Sequence, residues 1–161
     1  RRSTASSNRA VTIELVALDA TNIGLLDAIE RTPEPTAAWV REVEDFILGP
    51  AARTHLGDPA SFIVAVKIDG EVRGAAVHHP LLGYPGSEYI SAVLLDHRSR
   101  GHGHGKQVVE AVVQHATGAS NRAYAVWAVH PSNAVMLEIS ARVGEEFAVD
   151  EQSGYRYFVA P

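Results

Sequence analysis

Leu94-Leu95-Asp96-His97-Arg98-Ser99-Arg100-Gly101-His102-Gly103-His104-Gly105-Lys106 joins two regular patterns. Before it, Ser87 to Leu95 is rich in β-branched and aromatic residues and reads as a strand. After it, Lys106 to Ala116 carries Val108, Val109, Val112 and Val113 on one helical stripe. Between them lies a glycine-rich loop. The amides of such a loop and of the helix's first turn have no intrahelical acceptor, and they sit at the positive end of the helix dipole. Gly101, Gly103 and Gly105 keep side chains out of the way, so the segment is suited to an anion, and to phosphates in particular.

Two phosphate loops are excluded by register. A dinucleotide fingerprint started at Gly101 or Gly103 needs Gly where Lys106 or Val108 stands. A Walker-type loop needs Gly at Arg100 and Ser or Thr at Gln107. His102 and His104 form only a partial metal site, and with no Cys in the chain and no third ligand nearby they read as residues flanking phosphates, with no metal expected.

Working outward, Asp69-Gly70 is a favoured two-residue turn between Ser61–Ile68 and Glu71–His78, which predicts a hairpin. Upstream, Val11 to Leu18 alternates as a strand. Thr21 or Asn22 is placed to cap a short helix to Ile29, and Ala37 to Leu48 is an amphipathic helix stopped by Gly49-Pro50. Downstream, Ala123 to Val129 is a buried strand, and Ser132 or Asn133 caps a helix to Val143 that Gly144 ends. Phe147–Val149 and Tyr155–Val159 make a closing antiparallel pair. The order predicts an α/β (α+β) fold: a mixed, mostly antiparallel sheet of six to seven strands with about four helices, and a parallel pair across the Ser87–Val129 crossover.

At 161 residues the chain suits one domain, expected over residues 11–161 behind a mobile arm, Arg1 to Ala10. Nineteen acidic against fourteen basic residues give a net charge of −5, which argues against a general nucleic-acid binder. The lack of Cys removes disulfides, thiolate catalysis and zinc fingers. No apolar run suits a membrane span and no signal peptide is visible, so a cytoplasmic protein without membrane association is expected.

The spacing Arg100-x-x-Gly103-x-Gly105 resembles the pyrophosphate-binding motif of the GNAT superfamily of acyl-CoA-dependent N-acyltransferases; Arg98-x-x-Gly101-x-Gly103 matches it in a second register. The element order from about Val11 to Val159 is similar too, as is Asn133 opening a helix that ends before Gly144 and Phe147. The resemblance implies a GNAT-like sheet with a splayed parallel pair, and acetyl-CoA as co-substrate. Its pyrophosphate would lie on residues Arg100, Gly101, His102, Gly103, His104, Gly105 and Lys106. Its pantetheine arm would lie along Val93, Leu94 and Leu95, where a β-bulge would free a backbone N–H to hold the thioester oxyanion, with Leu94 and Leu95 favoured. Asn133 would contact the pantetheine or cap its helix. A primary amine of a small molecule or a peptide would attack the thioester directly.

An alkylammonium must lose a proton to react, and a His or a carboxylate can take it. Glu88 and His130 are the candidate bases, with His78 and His79 behind them. The family often has Tyr as general acid seven residues after the helix Asn; here Ser140 stands there, leaving Ser140, water, Tyr155 or Tyr157. That departure keeps a second reading open, a non-catalytic acyl-CoA sensor or partner-binding module. The acceptor side would be built from Thr32–Leu56, Leu81–Gly86 and Asp150–Gly154. Glu42, Glu44, Asp45, Asp58, Asp150 and Glu151 would make it acidic, or Trp39, Tyr84 and Tyr89 aromatic. A monomer or homodimer is expected.

Overall fold

The computed structural model describes residues 10–35 and 37–161, so residues 1–9 of the expected arm lie outside the described residues. Seven strands form one sheet: β1 (Ile13–Ala17), β2 (Phe62–Ile68), β3 (Glu71–Pro80), β4 (Ser87–Leu95), β5 (Tyr124–Val129), β6 (Glu145–Val149) and β7 (Arg156–Ala160). Their spatial order is β1-β2-β3-β4-β5-β7-β6. Every pairing is antiparallel except β4 with β5, which the helical crossover makes parallel. The β2–β3 turn is the expected one: Asp69 and Gly70 take φ of 50° and 84°.

Among the described residues, four α-helices flank the sheet: α1 (Ala38–Leu48), α2 (Pro50–Arg53), α3 (Gly105–Ser120) and α4 (Ala134–Val143). The valine stripe of α3 is buried with Val64, Ile90, Trp127 and Phe158 on one face of the sheet, and α4 packs there too. On the opposite face Ile47 of α1 and Ala52 of α2 bury with Ile63, Val77, Ala92 and Leu94. Two local expectations change. The segment after Asn22 is a 3-10 turn, Ile23–Ala28, and Asn22 does not cap it. Its amide instead takes the Asp19 N–H and donates to the Ala17 carbonyl. Gly49 ends α1 as expected, but Pro50 then opens α2, because proline is pre-set for a first helical position. Among the described residues, no helix is long and apolar enough to cross a membrane.

The feature that shapes the site is a one-residue bulge in β4. Val77 pairs with Ala92 and His78 with Ile90, so Ser91 is the extra residue. An extra residue reverses which face each later side chain meets. Ile90 lies in the α3-side core, whereas Ala92 and Leu94 lie in the α1-side core. The parallel ladder with β5 runs from Ser87↔Tyr124 to Ile90↔Trp127 and stops at the bulge. Beyond it, Ala92 to Leu95 stay paired with β3 alone, and β4 and β5 diverge into a wedge. The bulge therefore stands upstream of the expected Val93–Leu95 segment, at a serine whose side chain bonds the Val77 carbonyl.

Candidate active site

Asp96 donates its N–H to the Arg73 carbonyl of β3. Main-chain groups alternate sides along a strand. Leu94 therefore turns its N–H and C=O toward β3, while Val93 and Leu95 turn theirs into the wedge. This corrects the expectation for Leu94, whose amide is on the wrong side to meet a thioester. The Leu95 carbonyl is already taken by Arg100 Nε at 2.9 Å. The Val93 N–H and C=O and the Leu95 N–H face the side on which the β5 ladder has already stopped.

At the end of β4, Asp96 is fully buried and organises the turn. Burial works against its charge, but the Arg98 side chain and the N–H groups of Glu30 and Arg98 hold it well below the usual carboxylate range. Neither arginine of the two motif registers lies over the loop. Arg98 is tied to Asp96, Glu30 and the Ala28 carbonyl. Arg100 turns back toward Thr32 (3.2 Å) and the buried Glu44 of α1 (3.8 Å). Anchored arginines hold the loop from beneath and leave contact with an anion to its backbone.

The glycines divide by task. Gly101 and Gly103 have φ of 78° and 79°, where side chains are strained, and a Cβ on either would meet nothing within 4 Å. Gly105 has no such φ. A Cβ there would come within 2.6 Å of Ile139 of α4, so this glycine lets the start of α3 approach α4. No side chain caps the first turn of α3 and no acidic residue lies in it. His102 and His104 stack with ring centres 6.1 Å apart, and Lys106 pairs with Glu110 at 3.2 Å.

His130 leaves the end of β5 at the wedge, on the α1 side of the sheet. Its ring stacks on Trp39 of α1 (5.9 Å) and meets Tyr155 edge-on (5.2 Å). Its Nδ1 accepts from the Ser132 N–H at 3.1 Å and lies 2.7 Å from Ser132 Oγ. An N–H can only donate, so Nδ1 carries the lone pair of the neutral ring. Trp39 Nε1 donates to the same Ser132 Oγ at 2.9 Å. Asn133 makes its capping bond to Met136 N–H at 3.2 Å.

The other two catalytic candidates lie elsewhere. Glu88 is fully buried beneath α3, because it precedes the bulge and shares Ile90's face. Its Oε1 lies 2.7 Å from His78 Nδ1, and His78 Nε2 lies 2.9 Å from Nδ1 of His115 on α3. Phe62 covers the His78 ring at 4.8 Å, and Arg122 stands 3.8 Å from Glu88. Burial pushes His78 down to about 4 and His115 down as well. It pushes Glu88 up, against the pull of Ser120 and Arg122. Glu88 is thus neither a solvated strand-edge carboxylate nor on the His130 side. Ser140 is also fully buried, and its oxygen accepts from Trp127 Nε1 at 2.9 Å. A hydroxyl enclosed under α4 is not presented to the wedge as an acid. Sequence reasoning did not separate Glu44, Ser132 and His115 from their neighbours; only the position of Ser132 two residues after His130 hinted at its contact.

Comparison with known proteins matches this arrangement. The family model described as Acetyltransferase (GNAT) family covers residues 25–144. No curated protein sequence matches this one significantly. Similar solved folds include a spermidine N-acetyltransferase SpeG chimera from Vibrio cholerae and hSSAT, with TM-score 0.65 and 13% identity over 91% of this chain and 93% of that one. The PaiA N-acetyltransferase from Thermoplasma acidophilum, in complex with coenzyme A, gives TM-score 0.66 and 9% identity over 92% and 98%. RimL, a ribosomal L7/L12 alpha-N-protein acetyltransferase in complex with coenzyme A, gives 0.67 and 14% over 92% and 93%. With the matched model spanning well over half of its length and the fold agreeing throughout, this chain belongs to the GNAT acetyltransferase family.

Proposed function

We propose that the protein transfers an acetyl group from acetyl-CoA to a primary amine by direct attack on the thioester. The observation that carries this is the wedge: β4 keeps one edge unpaired after Ser91, the glycine loop lies just beyond its end, and His130 stands across the opening at the end of β5. The amides from Gly101 to Lys106 hold the pyrophosphate, and the pantetheine arm adds to the free edge of β4 through Val93 and Leu95. The N–H of one of these two residues faces the thioester oxygen and stabilises the negative charge that develops there.

The acceptor approaches on the His130 side. Its ammonium gives a proton to Ser132 Oγ, which passes its own to His130 Nδ1 across the 2.7 Å contact. The freed nitrogen lone pair attacks the carbonyl carbon; as the tetrahedral intermediate collapses, the carbon–sulfur bond breaks and the nitrogen gives up its second proton to solvent, leaving a neutral amide. The coenzyme leaves as a thiolate that takes a proton from solvent or from Tyr155, the phenol beside His130. His130 then returns its proton to solvent.

Thiol release from acetyl-CoA across a panel of amines tests the reading. The wild type should release thiol only when an amine is present. His130→Ala should lower kcat by about 100-fold or more, the typical contribution of a general base, with CoA affinity within about twofold of wild type. Stabilisation by CoA without turnover on any amine would favour the sensor reading, which the enclosed Ser140 keeps in view.

A further inference from the structure

On the face opposite α3 and α4, the strands β4, β5, β7 and β6 carry a groove of about 480 Å³. Tyr84, Tyr89, Tyr124, Phe147 and Tyr157 line it together with Val126, and none of its lining side chains is charged. Residues two apart on a strand share a face. Tyr157 thus shares Val159's face on β7, Tyr155 immediately precedes that strand, and Tyr155 touches the His130 ring at 5.2 Å. Tyr89 belongs to the same assembly: its phenol is pushed up by burial and by the neighbouring hydroxyls of Tyr157 and Tyr155. His79 leans on Tyr89 at 5.7 Å. An aromatic floor thus runs from the proposed base into the groove.

The carboxylates expected to make the acceptor side acidic are largely engaged in the fold. Asp45 pairs with Arg31. Glu44 is buried against Thr32. Asp58 holds the Ala60 N–H and the Ser61 hydroxyl, and Asp150 holds the N–H groups of Gln152 and Ser153. A polycation would find no row of free carboxylates along this groove. A flat apolar body with a single amine at its end would find rings to pack on and a base at the correct end.

We propose that the groove is the acceptor site and that it selects a small monoamine carrying an aromatic ring, with the ring between Tyr89, Tyr157 and Phe147 and the amine toward His130. This rests on the amine-acetylation reading above.

The test is calorimetric titration of the CoA-loaded protein with 2-phenylethylamine, n-propylamine and spermidine, run beside thiol-release assays with acetyl-CoA. The expected result is at least tenfold tighter binding of 2-phenylethylamine than of n-propylamine, with spermidine no tighter than n-propylamine. Ala148→Trp is exposed on β6 and lies in the groove lining, so it should fill the groove without disturbing the core. It should bring 2-phenylethylamine down to the n-propylamine level, while CoA titration of the same variant shows that the protein is folded. Equal binding of the two monoamines, or tightest binding of spermidine, overturns the proposal. So does a wild-type dimer in sedimentation that Ala148→Trp dissociates, since a second copy would then occupy the groove. Acetylation without ring preference removes this proposal and leaves the catalytic reading standing. Ring-selective binding without acetylation does the reverse.

Discussion

The two halves of β4 belong to one continuous strand and have opposite surroundings. Glu88 to Ile90 is paired on both edges, to β3 and to β5, and Glu88 is locked into a buried chain with His78 and His115. Ala92 to Leu95 is paired to β3 alone. One residue, Ser91, separates them. The buried half fixes the register, and the freed half exposes main-chain donors and acceptors where a ligand can use them. A sheet interior normally satisfies its own hydrogen bonds, so an internal strand with one open edge marks a place where something else is meant to bind.

The most damaging way to break this contrast is to delete Ser91. The ladder would then run on without a break, Ala92 still opposite Val77 and Leu94 still in the α1-side core, and β4 would lose the irregularity at which it parts from β5. The expected outcome is loss of CoA binding by calorimetry with cooperative urea unfolding retained, because both cores keep their side chains while the open edge of β4 closes against β5. A deletion variant that keeps CoA affinity would show that the bulge does not create the site.

A smaller perturbation separates catalysis from packing at Ser140. Ser140→Ala leaves the Trp127 indole N–H buried without its acceptor, which should cost about 1–3 kcal/mol of stability. Its kcat should stay within about threefold of wild type, since a general acid would be worth far more than that. A kcat loss of about 100-fold with unchanged stability would return Ser140 to the acid's role.

The mildest perturbation acts on the buried half of β4 through pH. His78 is pushed down to about 4 from an ordinary value of about 6.5, and His115 is lowered as well. In that window the unfolded chain binds more protons than the folded one. Stability is therefore fully present above about 6.5 and falls as the pH drops toward about 4. Glu88 works in the opposite direction: its raised pKa makes the folded state the better proton binder just above the ordinary carboxylate range. Glu88→Gln removes that opposing contribution while keeping an acceptor for His78. Its urea midpoint should fall more steeply between pH 6.5 and 4 than that of the wild type. A shallower fall would mean that Glu88 and His78 hold a charged pair.

These contrasts also explain what could be read without coordinates. Asp69-Gly70 and the run from Arg100 to Lys106 were legible because each needs particular residues at particular positions: a left-handed turn in one, two positive-φ glycines in the other. The element order followed from periodicity and caps, Asn133 among them. Glu88 was placed by its region, near the start of the strand that leads into the loop, and nothing in Ile90-Ser91-Ala92 announces the bulge that leaves it on the face opposite Ala92 and Leu94. Ser140 was misplaced because an i+7 spacing gives a helix face and says nothing of Trp127 lying beneath it. The chain from His78 to His115 joins residues 37 apart, which only the packing of α3 on the sheet brings together.

The central claim is that the freed edge of β4 and the glycine loop hold one ligand between them. The direct measurement is an amide-resolved NMR titration of the full chain with CoA. The account predicts saturable shifts at Gly101, Gly103, Gly105, Val93 and Leu95, with Leu94 and the buried half, Glu88 to Ile90, little changed. Shifts confined to another surface, or saturation at the loop with Val93 and Leu95 unmoved, would contradict it.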